Sequence, residues 1–119
     1  MNKIVTFRDL KVWGKSHLLT LETYKICKDF PKYEEFGLSS QMRRSSASVP
    51  SNIAEGFKRK SCKDRIHFYN MAETSLEELK YQIILAKDLN YIKNNQYIKL
   101  TNQAEEVSKM LFVWKNKQK

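Results

Sequence analysis

The sequence is poor in glycine, proline and cysteine. Its 119 residues contain three glycines, two prolines and two cysteines. So few turn-forming residues argue against a sheet of many short strands and favour long helices. Cys27 and Cys62 lie far apart and match no CxxC or zinc-ligand spacing. We therefore expect two free, largely buried thiols in a reducing compartment, with no disulfide and no zinc site.

Long apolar runs are also missing. No stretch approaches the roughly 20 consecutive apolar residues that a helix needs to cross a bilayer. Arg8 and Asp9 stand where a signal peptide would need its apolar core. We expect a cytoplasmic protein with no membrane partner.

Acidic residues are the minority among the charged ones. Lys and Arg number 22 against 13 Asp and Glu, which gives a net charge of +9. Such an excess favours association with a polyanion, although a solvated lysine-rich surface is the simpler alternative. Hydrophobic residues make up 41% of the chain. That content and the length predict a single domain, residues 1–119, with one core.

Apolar residues recur at intervals of three and four in four segments, as in amphipathic helices. The first segment runs from about Leu10 to Asp29 and ends before Pro31, and Asn90 and Asn94 mark a later turn. Short connections make consecutive helices antiparallel neighbours, so the sequence predicts an all-α, up-down four-helix bundle. The predicted inward positions are Val12, Trp13, His17, Leu19, Leu21, Tyr24 and Ile26; Leu38, Met42, Ser45, Val49 and Ile53; Tyr69, Ala72, Leu76, Leu79, Ile83 and Ala86; and Tyr97, Leu100, Ala104, Val107, Leu111 and Trp114.

The second helix contains Pro50 among small residues. An interior proline removes one backbone hydrogen bond, costs roughly 3 kcal/mol and bends the helix. The sequence therefore predicts a proline-kinked second helix in which another donor must reach the free Ser46 carbonyl. Asn52 and Glu55 adjoin the kink. A scaffold role is favoured for both, Glu55 by orienting arginines on its helix face, and a functional role stays open.

Basic residues lie on both sides of Pro50. Arginine presents a planar fork suited to phosphates, and the third helix, which Ser61 and Asp64 mark as beginning with an N-cap, adds its positive end. No stacking platform or recognition helix accompanies them, so base-specific readout is not expected. The predicted nucleic-acid-binding residues are Arg43, Arg44, Lys58, Arg59, Lys60, Lys63 and Arg65.

Catalytic motifs are absent from the sequence, which has no phosphate-binding glycine loop and no HExxH helix. His67 follows Asp64 at i+3, but a di-iron bundle needs a second such pair. His17 shares a stripe with Trp13 and is interpreted as a packed core histidine. We predict a non-enzyme without metal or cofactor, and keep a nuclease using His17 or His67 as a weak third hypothesis.

Apolar residues remain on the outer faces of the predicted helices. They are Leu18, Tyr81, Ile84, Ile98 and Phe112, set among charged positions. Contiguous exposed apolar patches usually mark an interface. The pattern therefore favours a homo-oligomer over a monomer.

Several motifs together resemble a known family. They are Phe7-Arg8-Asp9-Leu10 with Trp13, Phe36-Gly37-Leu38 with Gln41 and Arg43-Arg44, and Val49-Pro50-Ser51-Asn52-Ile53-Ala54-Glu55-Gly56 with Arg59. Over nearly the whole chain they closely resemble the four-helix-bundle proteins encoded in 23S ribosomal RNA intervening sequences. Two departures are Lys58, at a position often held by glycine, and the acidic segment Glu73 to Glu78.

The resemblance implies an up-down bundle that assembles into a ring-like homopentamer. It also implies kinship with the accessory protein of diversity-generating retroelements, a basic pentameric barrel that engages nucleic acid and a reverse transcriptase. No biochemical activity is established for the intervening-sequence proteins, and RNA binding is inferred from genomic setting and charge.

The leading hypothesis is a non-enzymatic homo-oligomer, pentameric by the resemblance, that binds structured RNA or another nucleic acid through phosphate contacts. The alternative is a protein-interaction scaffold that recruits a partner protein without touching nucleic acid, its charge serving to steer the encounter.

Overall fold

Four α-helices account for most of residues 3–119, the part of the chain that the computed structural model describes. Two short 3-10 turns, Phe7–Asp9 and Lys32–Glu34, precede the first and second helices. Each helix packs against its neighbours in sequence, and the first also packs against the fourth. The up-down four-helix bundle is confirmed. The helices are α1 (Lys11–Cys27), α2 (Leu38–Lys58), α3 (Cys62–Asp88) and α4 (Asn94–Asn116).

Local chemistry explains where the helices begin and end. The Ser61 hydroxyl accepts a hydrogen bond from the Asp64 amide at 3.1 Å, the N-cap that the sequence predicts for α3. After α3, Asn90 takes a left-handed φ of 64°, a conformation that asparagine tolerates better than most residues.

Within residues 3–119, no helix combines the length and apolarity needed to cross a membrane.

The predicted core positions are confirmed for α2, α3 and α4, where all are buried or partly buried. The prediction for α1 is partly wrong, because Leu21 and Tyr24 are exposed while the polar residues Ser16 and Thr23 are fully buried. Their hydroxyls donate to carbonyls of the preceding turn, at 2.8 Å in each case, so burial leaves them satisfied. His17 is only half-buried and stacks on the ring of Trp13, so it is not a core residue.

Pro50 lies inside α2, and the helix continues through it. The Ser46 carbonyl, which would accept the amide of residue 50, instead accepts the buried Thr20 hydroxyl of α1 at 2.8 Å. The predicted substitute donor is therefore a side chain of the neighbouring helix, and it joins α1 to α2 at the proline. The bend itself stays a prediction.

The two cysteines differ in their surroundings. Cys27 is buried, and burial raises the pKa of its thiol. Cys62 is exposed at the first position of α3, so the expectation of two largely buried thiols is wrong for this residue. The reason is that it precedes the first inward position of α3, Tyr69, by two helical turns.

Candidate nucleic-acid interface

The connection from α2 to α3 gathers basic residues at one end of the bundle. Only three residues separate the two helices. Five of the seven predicted residues therefore lie within eight consecutive positions. We call this group the basic turn: Lys58, Arg59, Lys60, Lys63 and Arg65.

Arg43 and Arg44 are not part of this group. They precede Lys58 by 14 or more positions on the same helix, which separates them by about 20 Å along the helix axis. Arg43 donates to the Ser39 hydroxyl and to the Glu35 carbonyl. Arg44 is exposed. Within one chain, the structure thus divides the seven predicted residues between two sites.

Arg65 supports the turn itself. Its Nη1 donates to the carbonyls of Arg59 at 3.2 Å and Lys60 at 2.8 Å. Its Nε donates to the Gln118 side chain at 2.9 Å. Carbonyls after a helix end have no helical donor and need another partner. Arg65 therefore fixes the path of the turn, and few of its donors remain for a phosphate.

Arg59 is held by two neighbours. Its Nη2 lies 3.1 Å from a Glu55 carboxylate oxygen, and its guanidinium lies 4.5 Å from the centre of the Phe68 ring. Glu55 therefore orients Arg59, as expected for the arginines of its face, and offsets part of its charge. Asn52 donates to the Ser48 carbonyl at 2.8 Å within α2. Both geometries agree with scaffold roles.

The three lysines of the basic turn are different. Lys58, Lys60 and Lys63 are exposed. Within residues 3–119, no ion pair joins any of them to a carboxylate. The α3 N-terminus, with its positive dipole end, lies between Lys60 and Lys63. These ammonium groups are free to bind an anion, and they are the main binding groups of the candidate site.

Antiparallel packing adds the end of α4 to the same end of the bundle. The Arg65–Gln118 hydrogen bond places the chain terminus beside the basic turn. No acidic residue follows Glu106, whereas four lysines do. Lys115 pairs with Glu73 at 2.8 Å, and Lys117 and Lys119 are exposed. The prediction missed these lysines. The acid-free run after Glu106 was the available signal, but only the fold brings it to the turn.

The comparisons with known proteins identify the class and then the family. A solved structure with the same fold is that of a protein of unknown function from the S23 ribosomal protein family of Bacteroides thetaiotaomicron. It superposes with a TM-score of 0.82 at 28% identity, covering 88% of this chain and 95% of its own. The profile described as 23S rRNA-intervening sequence protein matches residues 8–113. The chain belongs to this family, as the motifs of the sequence indicate. The comparison with curated proteins gave no match.

Proposed function

We propose that the protein is a non-enzymatic, cytoplasmic homo-oligomer that binds nucleic acid through phosphate contacts at the basic turn. The observation that carries the proposal is the exposure of Lys58, Lys60 and Lys63 without ion-pair partners inside the described chain. Ammonium groups in this state attract phosphates without reading bases. Arg44 would join them only through a neighbouring subunit or a long ligand. Structured RNA is the first ligand to test, because the family description names 23S rRNA.

Assembly would strengthen such binding. A net charge of +9 per chain becomes about +45 in the homopentamer that the family resemblance implies, and charges gathered on one particle raise the local concentration of a polyanion. Binding would then depend on salt and tolerate changes of sequence.

Charge reversal at the basic turn tests the proposal. In Lys58→Glu/Lys60→Glu/Lys63→Glu, we expect a weaker salt dependence. The negative slope of log K against log salt should become smaller in magnitude by about three, since each phosphate contact contributes nearly one. Filter binding of a structured RNA over a salt series measures it.

The matched control reverses three exposed lysines at the opposite end of the bundle. Lys25→Glu/Lys28→Glu/Lys32→Glu changes the net charge equally, and the expected slope stays close to that of the wild type. Equal losses in the two triple variants would mean that overall charge, and no particular site, drives binding. RNA binding that is flat in salt, or absent at low salt, would reject the proposal.

Exposed apolar side chains support the proposed self-association. The outward positions that the sequence predicts are 46 to 60% exposed, namely Leu18, Tyr81, Ile84, Ile98 and Phe112. Tyr81 and Ile84 line a groove between α3 and α4. We expect Tyr81→Glu/Ile84→Glu to lower the particle mass in analytical ultracentrifugation, because two charges would enter a dry contact. An unchanged mass with retained helicity would exclude this face from the assembly.

The exposed apolar residues also support the second candidate, a scaffold that recruits a partner protein. On that hypothesis a partner would remain bound after nuclease treatment and in the variant with three reversed lysines at the basic turn. Loss of the partner in both conditions would favour nucleic acid as the link.

A further inference from the structure

A groove lies between the start of α1 and the end of α4. Its volume is about 530 Å³, within the usual range of binding pockets. It opens on the α1–α4 side of the bundle, whereas the basic turn joins α2 to α3. Its apolar wall consists of Ile4, Leu10, Val12, Met110, Val113 and Trp114.

The rim of this groove is basic. The acidic residue at the rim, Asp9, accepts hydrogen bonds from the amides of Val5 at 2.8 Å and Thr6 at 2.9 Å. These bonds lower the pKa of Asp9, and they turn its carboxylate toward its own backbone. The basic side chains at the rim are Lys3, Lys11, Lys109 and Lys117.

We propose that this groove binds an acidic amphipathic helix of a partner protein. Lys109 on α4 and Lys117, the residue after α4, bracket it about 12 Å apart along the axis, close to two turns of a bound helix. Apolar residues of such a helix would cover the wall, and its flanking carboxylates would meet the lysines. A nucleic-acid duplex would leave the wall uncovered, because its outer surface consists of polar phosphates and sugars.

A second copy of this chain fits the groove less well. On a second copy, the helix face that combines exposed acidic and apolar residues consists of Glu77, Tyr81, Ile84 and Asp88. Glu77 lies 15 positions beyond Cys62, the start of α3, and so about 22 Å above the end of the bundle where the groove lies. Copies packed side by side at one height would not bring that face to the groove.

The inference does not depend on nucleic-acid binding, and a peptide-display selection tests it. The probe is a random library of amphipathic helical peptides in which the residues flanking the apolar stripe vary. The full-length protein serves as bait in nuclease-treated buffer. We expect the enriched peptides to carry Glu or Asp at the flanks. No enrichment, or enrichment of basic or uncharged flanks, would overturn the proposal.

Binding of the most enriched peptide then locates the site. Val113→Glu places a charge on the groove wall and should weaken binding at least tenfold, whereas Leu21→Glu, at an exposed apolar position of α1 outside the groove, should leave it unchanged. Lys109→Glu/Lys117→Glu should weaken binding by about tenfold and Lys63→Glu by little. Equal effects of Val113→Glu and Leu21→Glu would place the peptide elsewhere.

A spectroscopic readout separates contact from indirect effects. Trp114 forms part of the wall, and its Nε1 is buried without a hydrogen-bond partner among residues 3–119. The indole lies close to the Tyr69 hydroxyl. Burial raises the pKa of this hydroxyl and the nearby indole N–H partly opposes that rise, although the two groups do not meet in good hydrogen-bond geometry. In Trp13→Phe, which leaves Trp114 as the single tryptophan, the peptide should shift the fluorescence maximum. Binding without a shift would exclude the groove.

A lower particle mass in Val113→Glu, measured without peptide, would assign the groove to a second copy and overturn the proposal.

Discussion

Replacing Thr20 by valine is expected to destabilise the bundle by about 1–3 kcal/mol, although the two side chains have nearly the same shape. The reason is that the Thr20 hydroxyl supplies the hydrogen bond to the buried Ser46 carbonyl that Pro50 cannot supply. A buried carbonyl left without a donor incurs its full desolvation cost. Urea unfolding followed by circular dichroism measures the change in the free energy of unfolding.

The proline provides the control for this prediction. In a Pro50→Ala background the backbone amide restored at this position can donate to the Ser46 carbonyl, so Thr20→Val should cost less there, by about 1 kcal/mol. Thr20→Ser keeps the hydroxyl and should lose only the packing of one methyl group. If Thr20→Val costs the same with and without Pro50, the hydroxyl does not compensate for the proline.

Gly56→Ala is expected to destabilise the protein by about 1–2 kcal/mol, although alanine is the better helix former. A Cβ at this position would lie 2.6 Å from the ring of Tyr69, which is fully buried in α3. The Tyr69 ring or one of the two helices must move, and overpacking of this kind costs about 1–3 kcal/mol before the gain in helix propensity is subtracted. Thermal and urea unfolding of the variant measure the loss.

Gly14 offers a matched control within the same bundle. It lies in α1, and a Cβ added there meets no atom within 4 Å. Gly14→Ala should therefore stabilise the protein by about 0.5–1 kcal/mol through the lower entropy of the unfolded chain. Equal effects of the two substitutions would show that the approach of α2 to Tyr69 is not limiting. Neither glycine has a positive φ, so close approach is what requires Gly56.

The packing at Gly56 also bears on the proposed interface. Gly56 precedes Lys58 by two positions, and its carbonyl accepts the Arg59 amide at 3.1 Å. The distance between α2 and α3 there sets where the basic turn begins. Gly56→Ala is therefore a test of the fold first. Its effect on RNA binding is interpretable only if the variant stays folded at the assay temperature.

Much of the fold follows from the spacing of apolar residues. The seams of α3 and α4 were predictable residue by residue, because a period of 3.6 leaves one face for the core. In α1 the same reasoning placed Leu21 and Tyr24 inward. It failed because Ser16 and Thr23 satisfy their own hydroxyls within the helix and so can occupy the core. A hydropathy scale treats Ser and Thr as polar and takes no account of such hydrogen bonds within the helix.

The candidate site was predictable only in part. Proximity in sequence joins Lys58, Lys60 and Lys63, since one short turn contains them. It also suggested that Arg43 and Arg44 belong with them, but 14 or more helical positions of α2 separate these arginines from Lys58. The lysines after Glu106 are 40 or more positions away in the chain. They reach the same end because antiparallel helices alternate direction.

Composition and periodicity by themselves determined the helical class, the number of helices, their order and the net positive charge, because these depend on short-range pattern alone. The family followed from three groups of motifs, of which one surrounds Pro50. Only the tertiary structure decided which basic groups are free and which are engaged, as with Arg65 in the turn and Arg59 beside Glu55. It also revealed the Thr20 donor and the groove between α1 and α4, since both arise where residues distant in the chain meet.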